Sequence, residues 1–310
     1  MPFALRHTFP WLLSLSLGLF ALALPDHAST FAPYFFLSSA LLLGVPHGAC
    51  DPWVPGWVLR HPSRLPFLII FFIVYLSFSA LYLFLWKIFP LPATLFFLIL
   101  TAWHWGTADA SLELTPSPRW LAFALSRGSF IILAPFAFHL TETWNVILQM
   151  APSAGPAPAS LLFLIATPLC FFLNLLSRPT PKNIIETTLL LLLFYFTPPL
   201  LSVGTYFVAF HAWRHLLRLC SFRDQLSPTD SLHLWIASLT RLLFLSIPLT
   251  LLSLLFLWLI PPLLSNSAPA GQNWIGPYLI LLAVLTLPHA ILVGWIDRQS
   301  IISKSQVTSH

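Results

Sequence analysis

Charge is what this chain has least of: only 7% of its 310 residues are Asp, Glu, Lys or Arg, while 58% are hydrophobic. A soluble domain carries about a quarter charged residues. So sparse a set cannot cover a water-facing surface, and a soluble enzyme is excluded. The formal charge of +5 does not signal nucleic acid either, because the basic residues sit singly between apolar stretches and form no patch. Cysteine is also scarce. Cys50, Cys170 and Cys220 are scattered and form no CxxC pair, which excludes a disulfide framework and a thiolate metal site. The chain contains no Gly-rich phosphate loop, nucleophile elbow or HExxH motif. No linker is long enough to detach a second unit, so residues 1–310 read as a single integral-membrane domain.

What the chain does have is repeated apolar runs. A membrane-spanning helix needs about 20 mostly apolar residues. Candidate spans fall near 9–24, 31–47, 66–86, 91–109, 120–140, 159–176, 184–198, 199–219, 234–261 and 275–296. The expected fold is therefore all-α, a polytopic transmembrane bundle of about ten spans. Arg6 precedes the first span. Arg60 and Arg64, Arg119, Arg178 and Lys182, Arg218 and Arg223, then Arg298 and Lys304 follow alternate ones. That alternation places both termini in the cytoplasm, with Lys87 the exception. Arg6 and His7 ahead of an apolar stretch ending in Ala21-Leu22-Ala23 resemble a signal peptide, but a first membrane helix is the simpler reading.

Four histidine-centred stretches interrupt this apolar background. His211 and His215 are four apart, which on a helix stacks two imidazoles on one face, a spacing that suits a metal ion. His47 stands in Pro46-His47-Gly48-Ala49 with Asp51 following. His104 repeats the pattern with Gly106 and Asp109. Either aspartate is placed to accept the second ring N–H of a ligand histidine and so fix its tautomer. His289, after Pro288 and eight residues before Asp297, is a further polar group near the metal, a substrate contact or a helix-end residue. The plain alternative throughout is hydrogen bonding between helices, yet ionisable groups inside membrane segments are costly and usually functional. Arg214 beside the pair weighs against a dry structural role. All four stretches fall in spans that run toward the cytoplasm, so they share a depth on that side of the midplane.

The remaining histidines, His7, His27, His61, His139, His233 and His310, lie near termini, loops or span ends without a patterned partner. Tryptophans including Trp105 and Trp213 cluster near the histidine stretches. An interfacial aromatic belt accounts for them, and lining a channel for a flat conjugated ligand is the sharper reading.

At these residues the chain resembles the Brp/Blh family of integral-membrane β-carotene 15,15'-dioxygenases. The resemblance rests on Pro46-His47-Gly48-Ala49 with Asp51, His104-Trp105-Gly106 with Asp109, Phe210-His211 through Arg214-His215, and Pro288-His289. It implies cleavage of β-carotene by dioxygen to two retinals, with Fe(2+) held by His47, His104, His211 and His215. It also implies a multi-pass protein of the bacterial inner membrane, with the product passing to a rhodopsin. Asp51, Asp109, His289, Asp297, Trp105, Trp213, Tyr206 and Arg214 are the expected supporting or substrate-contacting residues. Carotene is roughly as long as the hydrocarbon core is thick, about 30 Å. A metal toward the cytoplasmic side then requires a tilted or bent tunnel open to lipid for central cleavage. Two other readings compete. A membrane di-metal oxygenase of the desaturase kind expects HxxHH-like clusters, which are absent. A carrier would line a pathway with the same His and Asp residues.

Overall fold

The computed structural model describes residues 2, 4–60, 64–264 and 274–307; His61 and His310 lie outside the described residues. Among those described there is no strand, and nearly every segment is helical. Lipid offers no partner for a free backbone N–H or C=O, so a spanning segment must satisfy its own.

A π-helical turn, Ala4–Thr8, leads into α1 (Phe9–Ala23). The second run joins α2 (Pro25–Ser39), a π-helical segment Ala40–Gly44, α3 (Val45–Ala49), a 3-10 turn Asp51–Trp53 and α4 (Val54–Leu59). Then come α5 (Leu65–Ile88), α6 (Pro90–Glu113), α7 (Pro118–Phe138) and the short α8 (Leu140–Met150). Next are α9 (Ser160–Ser177), α10 (Pro181–Phe196) and α11 (Pro199–Thr205). The last of these continues through a π-helical segment, Tyr206–Ala212, into α12 (Trp213–Asp224). Two long helices, α13 (Leu232–Leu264) and α14 (Ile275–Val307), close the chain. Proline in the first turn opens α5, α6, α7, α10 and α11, where its missing N–H has no helical partner to lose.

Each expected span contains helix, but among the described residues seven helical runs are long and apolar enough to cross a membrane: 25–59, 65–88, 90–113, 118–138, 160–177, 232–260 and 275–299. The expected spans 9–24 and 184–198 are not among the seven, because α1 has 15 residues and α10 has 16. The expected span 199–219 is long enough, but Arg214 and Arg218 make it polar. This run is interior rather than lipid-facing. Every residue from Thr205 to Ala212 is buried, and Phe36, Trp105, Leu190 and Tyr278 pack around it.

Helices α5, α9 and α13 are peripheral: 11% of each apolar stretch is buried, against 56% in α7. The tightest pairing is α6 with α7. A Cβ on Gly106 would sit 1.9 Å from the Ala124 carbonyl oxygen, and one on Gly128 would sit 1.7 Å from that of Ala102. Only hydrogen fits at either position, so the backbones touch, as small residues allow in membrane bundles. Gly106 of the His104-Trp105-Gly106 stretch is therefore a helix-packing contact within an unbroken α6.

Candidate metal centre and its cavity

Five histidines converge inside the bundle. His47 follows the π-helical segment 40–44, and its Nδ1 lies against the Gly44 carbonyl. His104 projects from α6, His289 from α14 just after Pro288. His211 is the penultimate residue of the π-helical segment 206–212 and His215 stands in the α-helical turn beyond it. The two π-helical segments pack against one another, which brings His47 to His211. Such wide turns are rare and are often found at functional sites.

Ring centroids of neighbouring pairs are 4.7–5.5 Å apart, at interplanar angles of 73–88°. The rings thus meet edge to face and do not stack. One ligand atom from each of His47, His211 and His289 lies within 4.8 Å of the other two. All five side chains are buried. The Nε2 atoms of His104, His215 and His289 have no hydrogen-bond partner. An orphaned buried nitrogen costs about 1–3 kcal/mol, and a neutral imidazole with one free ring nitrogen is how histidine meets a metal. The donor set therefore fits a divalent transition ion.

Asp51 bonds to a histidine, but not to the one expected. Its carboxylate accepts from His289 Nδ1 at 2.9 and 3.0 Å, not from His47. The Tyr75 hydroxyl also donates to Asp51 Oδ2, at 3.0 Å. Asp109 corrects the second expectation. Five residues along an α-helix is a rotation of about 140°, so Asp109 faces away from the His104 ring. It accepts from Arg127 Nε at 3.0 Å, from Tyr206 Oη at 3.0 Å and from Arg214 Nη1 at 3.3 Å.

Behind the histidines lies a buried ion network. Glu186 on α10 accepts from Arg214 at 2.5 and 3.1 Å, from Arg127, and from Trp11 Nε1 at 3.1 Å. His7 Nδ1 stands 3.6 Å away, so this histidine is buried among partners despite its place near the terminus. Two guanidinium groups and two carboxylates balance. Arg127, Glu186, Trp11 and Thr187 were not anticipated, yet Arg127 and Glu186 are single charges inside apolar spans, which is itself a sequence signal.

A cavity of about 530 Å³ opens beside the cluster, with an almost entirely apolar wall that includes Phe71, Phe72, Phe97, Trp105, Phe207 and Phe256. His47, His104, His211 and His289 reach it, as do Asp51 and Tyr75. Leu76 on α5 and Leu252, Phe256 and Leu259 on α13 line it while also being exposed on the outside of the bundle.

Several expected supporting residues sit elsewhere. Trp105 lines the cavity and packs 5.7 Å from the His211 ring. Tyr206 and Arg214 belong to the ion network. Trp213 donates to the Leu5 carbonyl at 2.7 Å and packs on Phe9, away from the cavity. Asp297 is two helical turns from His289 and pairs with Arg218 and, at 3.2 Å, with Ser111.

Comparison with known proteins agrees with this geometry. The chain is 27% identical over 291 residues to a probable β-carotene 15,15'-dioxygenase Blh of Halobacterium salinarum, covering 84% of this chain and 83% of that one. It is 26% identical over 272 residues to a β-carotene 15,15'-dioxygenase of uncultured marine bacterium 66A03, covering 84% and 93%. No solved structure matches. The β-carotene 15,15'-dioxygenase family model matches residues 38–297, a stretch that holds all five clustered histidines and every cavity-lining residue but Phe36, and the chain belongs to that family.

Proposed function

We propose that this protein cleaves β-carotene at its central double bond with dioxygen, giving two retinals, and that it uses Fe(2+) held by His47, His104, His211 and His215. The observation that carries the reading is a buried imidazole cluster opening directly into an apolar cavity of about 530 Å³. Bound iron would supply the dioxygen chemistry. The chain's own residues do the rest. Aromatic walls bind a flat polyene, and the almost entirely apolar lining excludes water from the reaction. Leu76, Leu252 and Phe256, shared between cavity and outer surface, support entry from the lipid side, in line with a tunnel that is not closed to the bilayer. Convergence of all the patterned histidines on one point favours one metal over two.

In this reading the chain is a multi-pass protein of the bacterial inner membrane, with both termini cytoplasmic and about ten passes. The short α1 and α10, each with an exposed apolar face, and the largely buried run 199–224 would make the further crossings. Retinal leaves through the lipid, where a rhodopsin can take it up.

The test is product formation in β-carotene-producing cells that express the wild-type chain or His211→Ala. Retinal from the wild type and none from the variant is the expected result. Unchanged β-carotene with folded, iron-loaded wild-type protein would sink the proposed substrate.

A further inference from the structure

The four ligands implied by resemblance leave His289 unassigned, although it is the histidine most firmly held. We propose that His289 is a fifth nitrogen donor to the metal, positioned by Asp51 and Tyr75. This inference rests on the metal-dependent reading above.

Three observations converge on it. His289 supplies one of the three ligand atoms that lie within 4.8 Å of one another, alongside His47 and His211. Its ring is 4.9 Å from that of His47, 5.1 Å from that of His104 and 5.3 Å from that of His215, so it touches three of the four others. Its two nitrogens have opposite fates. Nδ1 is bound to both oxygens of Asp51, an acceptor that fixes the proton on Nδ1. Nε2 is then the lone-pair nitrogen, and it is buried without a partner. A carboxylate on the far nitrogen of a histidine is the arrangement that orients metal ligands and raises their basicity.

The surroundings hold this arrangement in place. Asp51 stands in the 3-10 turn after α3 and is 1% exposed, so it has few other ways to be satisfied. The Tyr75 hydroxyl reaches it from α5, 24 residues away, and is also 3.2 Å from the Leu285 carbonyl on α14. Gly48 on α3 adjoins the His289 ring at ordinary contact range: a Cβ there would lie 3.8 Å from Nδ1. Three elements therefore fix one imidazole. Five nitrogen donors leave a six-coordinate ion one further position, where four would leave two.

The test uses full-length protein purified in detergent and loaded without oxygen with Fe(2+), or with Co(2+), whose visible absorption strengthens as coordination number falls. Wild type, His289→Ala, Asp51→Asn and Asp109→Asn are compared for metal affinity and for the Co(2+) spectrum. His289→Ala is expected to weaken binding by more than the about 10–100-fold that loss of a ligand's outer partner costs, with an altered spectrum, and added imidazole to restore both. Asp51→Asn should weaken binding by about tenfold, at the low end of that range. Asp109→Asn, which lies in the ion network, should leave the spectrum of whatever protein folds unchanged. Wild-type affinity and spectrum in folded His289→Ala would overturn the proposal while leaving the metal reading intact. So would a loss that imidazole fails to restore in folded protein. A wild-type chain that binds neither ion would overturn the metal reading itself, and this inference with it.

Discussion

Glu186→Gln isolates the buried ion network from the metal chemistry. Glu186 is 7% exposed and receives hydrogen bonds from Arg127, Arg214 and Trp11. Neutralising it leaves two guanidinium groups against the single carboxylate of Asp109. Removing one partner of a buried ion pair costs about 3–5 kcal/mol. Glutamine keeps one acceptor oxygen, so the lower end, about 3 kcal/mol, is expected, or roughly a hundredfold in the folding equilibrium. The second step is Glu186→Gln combined with Arg127→Met. That pair removes one charge of each sign and leaves Arg214 facing Asp109. The double variant should be more stable than the sum of the single losses by about 2 kcal/mol. Unfolding by sodium dodecyl sulfate, followed by far-ultraviolet circular dichroism, measures all three. A Glu186→Gln loss below about 1 kcal/mol, or strict additivity in the double variant, would refute a network in which net charge decides stability.

Two further outcomes follow from packing. Gly106→Ala places a Cβ 1.9 Å from the Ala124 carbonyl oxygen, a backbone atom that cannot step aside, and should cost at least about 1–3 kcal/mol and weaken metal binding through His104. Gly18→Ala, where nothing lies within 4 Å, should instead stabilise α1 by about 0.5–1 kcal/mol in the same unfolding assay. At the cavity rim, Leu76→Trp with Leu252→Trp should lower kcat/KM for β-carotene in detergent micelles while metal content stays at the wild-type level. An unchanged kcat/KM would place the substrate's entry elsewhere.

Much of the site was legible because its residues are out of character with their surroundings. Imidazoles in apolar spans stand out without any knowledge of the fold, and all five reached one point. What the sequence could not show was the partner of each aspartate. The spacing of Asp51 from His47 and of Asp109 from His104 looked alike, yet one lies in a 3-10 turn and the other in an unbroken helix. The first swings across to α14 and the second turns to α7. Arg127 and Glu186 went unread although the rule that singled out the histidines applies equally to them. The π-helical segments had no sequence signal at all. They are set by packing between 40–44 and 206–212, a long-range contact invisible to local propensity.

That division of the aspartates has a consequence for the metal. Neutral imidazoles leave a divalent ion its full charge, and in a low-dielectric interior that charge needs relief. Both Asp51 and Asp109 looked available for it. Asp109 is neutralised by Arg127 and Arg214, with Tyr206 as its third donor. Among the described residues Asp51 is thus the carboxylate hydrogen-bonded to the cluster, and it reaches the cluster only through His289. The charge that holds α6, α7, α10 and α12 together is thereby kept apart from the charge that can respond to the ion. If the cluster holds a metal, such a site gains by having His289 as a ligand, because otherwise Asp51, which no arginine among the described residues neutralises, would be attached to a ring that the metal does not touch.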